Sequence, residues 1–194
     1  MKISRKRKIL YLIIIFLLVL ALIVVLSFFR PTKNSESVIS KGSVLAEENY
    51  HKALKAKADQ DYQQVKILLD PVVRGDSENV IYSELLGLAE FNLRNFENVI
   101  NIYDKLVGLE QNVVYYNYLA NAWREMGNFQ SATLNYQKAI ELNPEFRTAY
   151  QNLINLYQSQ EWVNKKDLVA FLQRIASDSK NKVAGEYLEE ILKK

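Results

Sequence analysis

Few side chains in this chain are equipped for a reaction. Its 194 residues include one histidine and no cysteine. Without cysteine there is no disulfide, thiolate metal site, thiol nucleophile or lipid-modified N-terminal cysteine. His51 alone provides neither a two-histidine metal motif nor a histidine-based triad, and it reads as a surface or packing residue of a helix. No glycine-rich phosphate loop is present. The carboxylates are spread along helices as a solvated face, Glu189 and Glu190 included. The expectation is a protein without catalytic residues, cofactor, metal or small-molecule substrate, and not an enzyme.

The elements that would position a binding surface are helical. Six glycines and three prolines are too few for the many turns of a sandwich or barrel. The net charge of +3 hides an asymmetry: residues 1–33 carry seven basic groups and no acidic one, and the remainder carries eighteen basic and twenty-two acidic groups. The main body is therefore mildly acidic, which argues against nucleic acid as its partner.

Ile9 to Phe29 is an uncharged run of 21 residues. As a helix it spans ~31 Å, the thickness of a hydrocarbon core of ~30 Å. A cleaved signal peptide would have a shorter apolar stretch and a small-x-small exit. This run instead ends in Ser27-Phe28-Phe29-Arg30-Pro31, so an uncleaved single-pass anchor is expected. Five basic residues precede it, and only Arg30 and Lys33 follow closely. The positive-inside rule then places the N-terminus in the cytoplasm and the rest of the chain outside it. Residues 1–8 form a basic tail and 9–29 the transmembrane helix. Residues 30–43 are polar and serine-rich and read as a flexible linker, and 44–194 form the folded domain.

From Val44 onward apolar residues recur at helical spacing, and the pattern repeats. Asn95-Phe96 and Asn128-Phe129 lie 33 apart. In the same frame Leu119 answers Leu86, Ala120 answers Gly87 and Tyr136 answers Tyr103. Residues 113–146 resemble a tetratricopeptide repeat on Tyr116, Leu119, Ala120, Trp123, Gly127, Phe129, Ala132, Tyr136, Ala139 and Pro144. Residues 80–112 keep Leu86, Gly87, Phe96 and Tyr103 but depart from the pattern at Glu90, Val99 and Leu106. Residues 46–79 keep Ala53, Tyr62, Val65 and Leu69. A break or kink is expected at Asp70-Pro71, because proline lacks the ladder amide. Residues 147–180 keep Tyr150, Leu153 and Tyr157 and lose register near Glu161-Trp162. Helices then resume at Asp167 and over Val183 to Lys193, the latter offering Val183, Tyr187, Leu188, Ile191 and Leu192 as a covering face.

The resemblance implies an all-α, right-handed solenoid of about four helix pairs with a C-terminal capping helix. It also implies a concave groove lined by positions 2, 5, 9 and 12 of each first helix. In the best repeat positions 5, 9 and 12 are Asn117, Asn121 and Arg124, and in the next Gln151, Asn155 and Gln158. These rows of amides suit the main chain of an extended peptide. Upstream the same places hold Glu84, Leu88 and Phe91, then Tyr50, Leu54 and Lys57, a more apolar end. The Lys and Asn clamp of chaperone-tail-binding members is missing, since its places hold Tyr50, Leu54, Leu85, Val114 and Tyr118. The expected function is a membrane-tethered scaffold or assembly factor that binds a protein or peptide segment in the groove. The alternative is a structural subunit of a membrane or envelope complex, associating through its convex face or its C-terminal helix.

Overall fold

The computed structural model describes residues 33–76, 78–159, 165–179 and 181–193. The expected transmembrane run Ile9–Phe29 and Trp162 lie outside the described residues. Among the described residues no helix is long and apolar enough to cross a membrane. The chain divides into two compact units, Met1–Leu45 and Ala46–Lys194.

Nine helices are present among the described residues: α1 (Lys33–Ala58), α2 (Tyr62–Gly75), α3 (Val80–Asn92), α4 (Phe96–Leu109), α5 (Val113–Glu125), α6 (Phe129–Leu142), α7 (Arg147–Ser159), α8 (Lys165–Ser179) and α9 (Lys182–Leu192). They form four successive pairs and a last single helix, as the 33-residue period implies. One expectation is corrected at the start. Residues 33–43, read as part of a flexible linker, are helical from Lys33. Pro31 lies ahead of this helix, and a lone Gly42 costs an interior position only about 1 kcal/mol. In the first unit the described residues are this opening stretch of α1.

Of the break or kink expected at Pro71, the break does not occur: the helix runs on to Gly75. Proline at this point removes one amide from a ladder already near its end, and Pro71 is solvent-exposed, so its ring displaces no packed neighbour.

The helices start where short polar side chains cap them. Asp61, Asn79, Asn128 and Asn181 each accept a backbone N–H three residues on, from Gln64, Tyr82, Ser131 and Ala184. Asn112 accepts from the amide of Val114. Each cap of this kind contributes about 1 kcal/mol. The turns inside the first three pairs share one conformation. Gln60, Arg94 and Gly127 have φ of 59°, 60° and 77°.

Packing follows the repeat. Small residues let helices approach and aromatic ones fill the remaining space. Ala120, Ala132, Tyr136 and Ala139 are fully buried, with Tyr116 and Trp123 half-buried against the same cluster. Gly87 stands where Ala120 stands one repeat later. A methyl group on Gly87 would lie 2.8 Å from Cε2 of Tyr103, so this contact requires glycine. The first pair contributes Ala53, Val65 and Leu69 to a cluster with Leu86 and Ala89 of α3. At the far end Leu168, Phe171, Leu172 and Ile175 of α8 are buried, as their spacing predicts. Val183, Ala184 and Ile191 of α9 close the same cluster. Leu192, expected on that covering face, is instead 62% exposed.

Candidate functional site

The first helices of the first three pairs enclose a groove of about 270 Å³. Tyr50, Leu54 and Lys57 of α1 form one wall, and Val114, Tyr115 and Tyr118 of α5 the other. Ile81, Glu84, Leu85 and Leu88 of α3 lie between, with Tyr103 of α4 behind them. The spacings 81, 84 and 88 put three of these on one stripe of α3. Several apolar walls remain open to solvent: Ile81 is 56% exposed, Val114 41% and Leu54 38%.

The aromatic groups here are fixed in place. Tyr103 and Tyr118 stack at 4.9 Å between ring centroids, and Tyr50 tilts against Tyr82 at 5.2 Å. Phe91 turns its edge to Phe96 and Tyr118 at 5.8 and 5.3 Å. The Tyr115 hydroxyl donates to the Glu84 carboxylate. Burial, followed by that bond and the charge of Glu84, pushes the Tyr115 hydroxyl well above the usual phenol range. The groove is therefore a mixed trough of aliphatic walls and tyrosines, with one carboxylate in its floor and Lys57 at its rim.

The predicted amide rows have a different character. Asn117 is only 8% exposed, and its side-chain oxygen accepts from Asn152 at 3.0 Å. The oxygen of Asn121 accepts the Tyr136 hydroxyl at 2.6 Å and the Asn152 amide at 3.4 Å. Arg124 reaches the Tyr136 hydroxyl at 3.5 Å and pairs with Glu125 at 2.9 Å. Gln151 donates to Asn155 at 2.9 Å. The acceptors of Asn117, Asn121 and Asn155 thus serve contacts within the protein, and the first two tie α5 to α7. Gln158 lies apart, beside a separate apolar cavity of about 270 Å³ with Tyr157, Leu168 and Ile191.

Of the residues expected in the groove, Tyr50, Leu54, Lys57, Glu84 and Leu88 come together. The five places where a chaperone-tail clamp is missing, Tyr50, Leu54, Leu85, Val114 and Tyr118, line the same trough. Sequence reasoning missed Ile81, Tyr115 and Asn152. Ile81 was within reach, since it occupies position 2 of its helix on the stripe already in hand. Asn152 carried no such signal, because its partner sits 35 residues away. His51 is exposed, with Nε2 3.2 Å from Glu47. No group of three or more potential metal ligands occurs among the described residues.

The comparisons with known proteins agree with this arrangement. Residues 113–146 match the family model described as Tetratricopeptide repeat. No curated protein matches in sequence. Among solved structures, the MamA protein superposes with a TM-score of 0.60 at 19% identity, covering 77% of this chain and 87% of that one. The TPR domain of Arabidopsis OM64 gives 0.54 at 18% identity, covering 58% and 94%. A variant of the Thermobaculum terrenum O-GlcNAc transferase gives 0.56 at 17% identity, and this chain, 70% covered, spans only 26% of that enzyme. The fold is an all-α array of tetratricopeptide-repeat type.

Proposed function

We propose that this chain is a membrane-tethered scaffold whose trough between α1, α3 and α5 binds a protein partner. The partner inserts an extended segment with an apolar anchor side chain. The observation that carries this reading is the coincidence of open apolar walls at Ile81, Val114 and Leu54 with a floor carboxylate held by the Tyr115 hydroxyl. A pre-formed, mostly apolar concavity with few polar groups is the usual form of a binding site. Repeat arrays of this family bind proteins, which supports the same reading. Ile9–Phe29 is the proposed tether, with the basic N-terminus cytoplasmic and the array outside.

Affinity purification of the full-length chain from its own membranes tests the groove. Ile81→Glu and Leu54→Glu place charge on exposed groove walls and are expected to remove the bound partner. Leu134→Glu, at a residue 59% exposed on α6, is expected to retain it. Identical recovery from all three variants contradicts the proposal. Protease added to intact cells or spheroplasts tests the topology, the array being cleaved only if it lies outside.

Association through the last helix is separated from this reading by Leu192→Glu. Deleting residues 181–194 would also uncover the buried cluster that Val183, Ala184 and Ile191 complete. The point substitution leaves that cluster closed.

A further inference from the structure

A second concavity, of about 480 Å³, opens on the other side of α3. Its floor is the stripe Ser83, Leu86 and Glu90, and its walls are α2 and α4. At helical spacing this stripe faces nearly opposite to Ile81, Glu84 and Leu88, so the two concavities share α3 but not a face. Glu90 occupies the place held one repeat later by Trp123, which packs against the core of its own repeat, and it is the smaller side chain.

The groups lining this cleft are unevenly satisfied. Glu90, 1% exposed, accepts from Lys66, from Asn95 at 2.6 Å and from Asn98 at 3.0 Å. Asp70 is paired with Arg74 at 2.6 Å. Glu90 is therefore paired within the protein, and Asp70 belongs to an exposed ion pair along its own helix. Lys105 and Asn101, on the α4 wall, make no hydrogen bond or ion pair with any described residue. Ser83, 3% exposed, has a buried hydroxyl without a partner. What remains without a partner in the protein is the exposed ammonium of Lys105, the exposed amide of Asn101 and the buried hydroxyl of Ser83, beside the apolar side chains of Leu86, Val73 and Ile102.

We propose that this cleft is a second binding site, which takes a carboxylate carried on a short apolar chain. The carboxylate meets Lys105 and Asn101, and the chain lies along Leu86 and Ile102. The unpartnered Ser83 hydroxyl belongs to the lining beneath them. A carboxylate fits because the Lys105 ammonium has no acidic partner among the described residues and lies beside the amide of Asn101 on the same lining. The volume falls within the range of small-ligand sites, roughly 300–1,000 Å³. A free peptide C-terminus and a short aliphatic acid share this chemistry.

Calorimetric titration of the full-length chain in lipid nanodiscs tests the site with four probes: hexanoate, hexanamide, the tripeptide Ala-Val-Leu with a free C-terminus, and its C-terminal amide. Both acids are expected to bind at least tenfold more tightly than their amides. Lys105→Ala is expected to remove that preference, and Ser83→Ala to weaken the acids severalfold. Glu90→Trp, which fills the space as Trp123 does, is expected to abolish binding. If Glu90→Trp fails to fold, Lys105→Ala, at an exposed residue, still decides the matter. A tenfold preference for the tripeptide over hexanoate identifies a protein C-terminus as the source, and parity identifies a small acid. No binding, equal binding of acid and amide, or binding unchanged in Lys105→Ala overturns the proposal.

Discussion

Asn152 of α7 donates its side-chain amide to Asn117 of α5 at 3.0 Å, and this bond crosses the boundary between two repeats. Asn117 is nearly buried, so its oxygen has no water to fall back on. Asn152→Ala is expected to lower stability by about 1–2 kcal/mol, the cost of leaving a buried acceptor unpaired. Partner recovery through the upstream trough is expected to be unchanged. Thermal unfolding of the purified chain, set beside the affinity purification, checks both halves. Loss of the partner without loss of stability would return the amide row to the binding site.

The three left-handed turn residues give an internal comparison. Gly127 adopts φ 77° without strain, whereas Gln60 and Arg94 hold side chains at φ 59° and 60°. Left-handed backbone costs a residue with a Cβ roughly 1 kcal/mol more than glycine. Gln60→Gly is expected to raise stability by up to about 1 kcal/mol, and Gly127→Ala to lower it by a similar amount. Arg94→Gly is expected to gain less, since Arg94 also contacts Glu125 at 3.2 Å and the face of Phe96. Denaturant midpoints of the three variants check the order.

Lys66 and Glu90 form a pair in which the acid is almost wholly buried. Removing one partner leaves a charge in a poorly solvated place, so Lys66→Ala is expected to cost about 3 kcal/mol. Replacing both by methionine is expected to cost less than that single change, because no orphaned charge remains. Chemical denaturation of the single and double variants measures the difference. A double variant weaker than Lys66→Ala would show that the pair is net stabilising.

The chain is expected to be sensitive to alkali. Burial pushes the hydroxyls of Tyr136 and Tyr150 up to about 12, and raises Tyr103 as well. An unfolded tyrosine titrates near about 10. The folded state therefore holds these protons more tightly. The stability this provides is fully present below about pH 10 and is lost as pH rises toward 12. Circular dichroism and phenolate absorbance followed together are expected to show unfolding across that window. Unfolding complete below pH 10 would contradict these assignments.

How much of this was legible in the sequence depends on whether the signal was local. Leu119 and Tyr136 answer Leu86 and Tyr103 at fixed spacing, and a helix pair buries what such spacing marks. The pairs and the covering role of Val183 and Ile191 followed from that. The linker did not, because polar, serine-rich composition suggested loop where nothing on Lys33–Ser43 forbids a helix. The break expected at Pro71 did not occur, since one lost amide matters little near the end of α2 at a solvent-facing position. The groove was half visible. Tyr50, Leu54, Glu84 and Leu88 share a stripe, but whether an asparagine on such a stripe is free depends on a partner 31–35 residues away. Glu90 appeared only as a departure from a repeat pattern. Its meaning as a cavity needed α2 and α4 in place around it.

The most direct test is site-specific photo-crosslinking from the full-length chain in its own membranes. A photoreactive amino acid is placed at Ile81, Val114 or Leu54 in the trough, and at Ile67 or Leu134 elsewhere, positions that are all exposed. The account predicts one discrete crosslinked protein from each trough position and none from the other two. Equal crosslinking from both groups, or crosslinks from Ile67 and Leu134 alone, would contradict it.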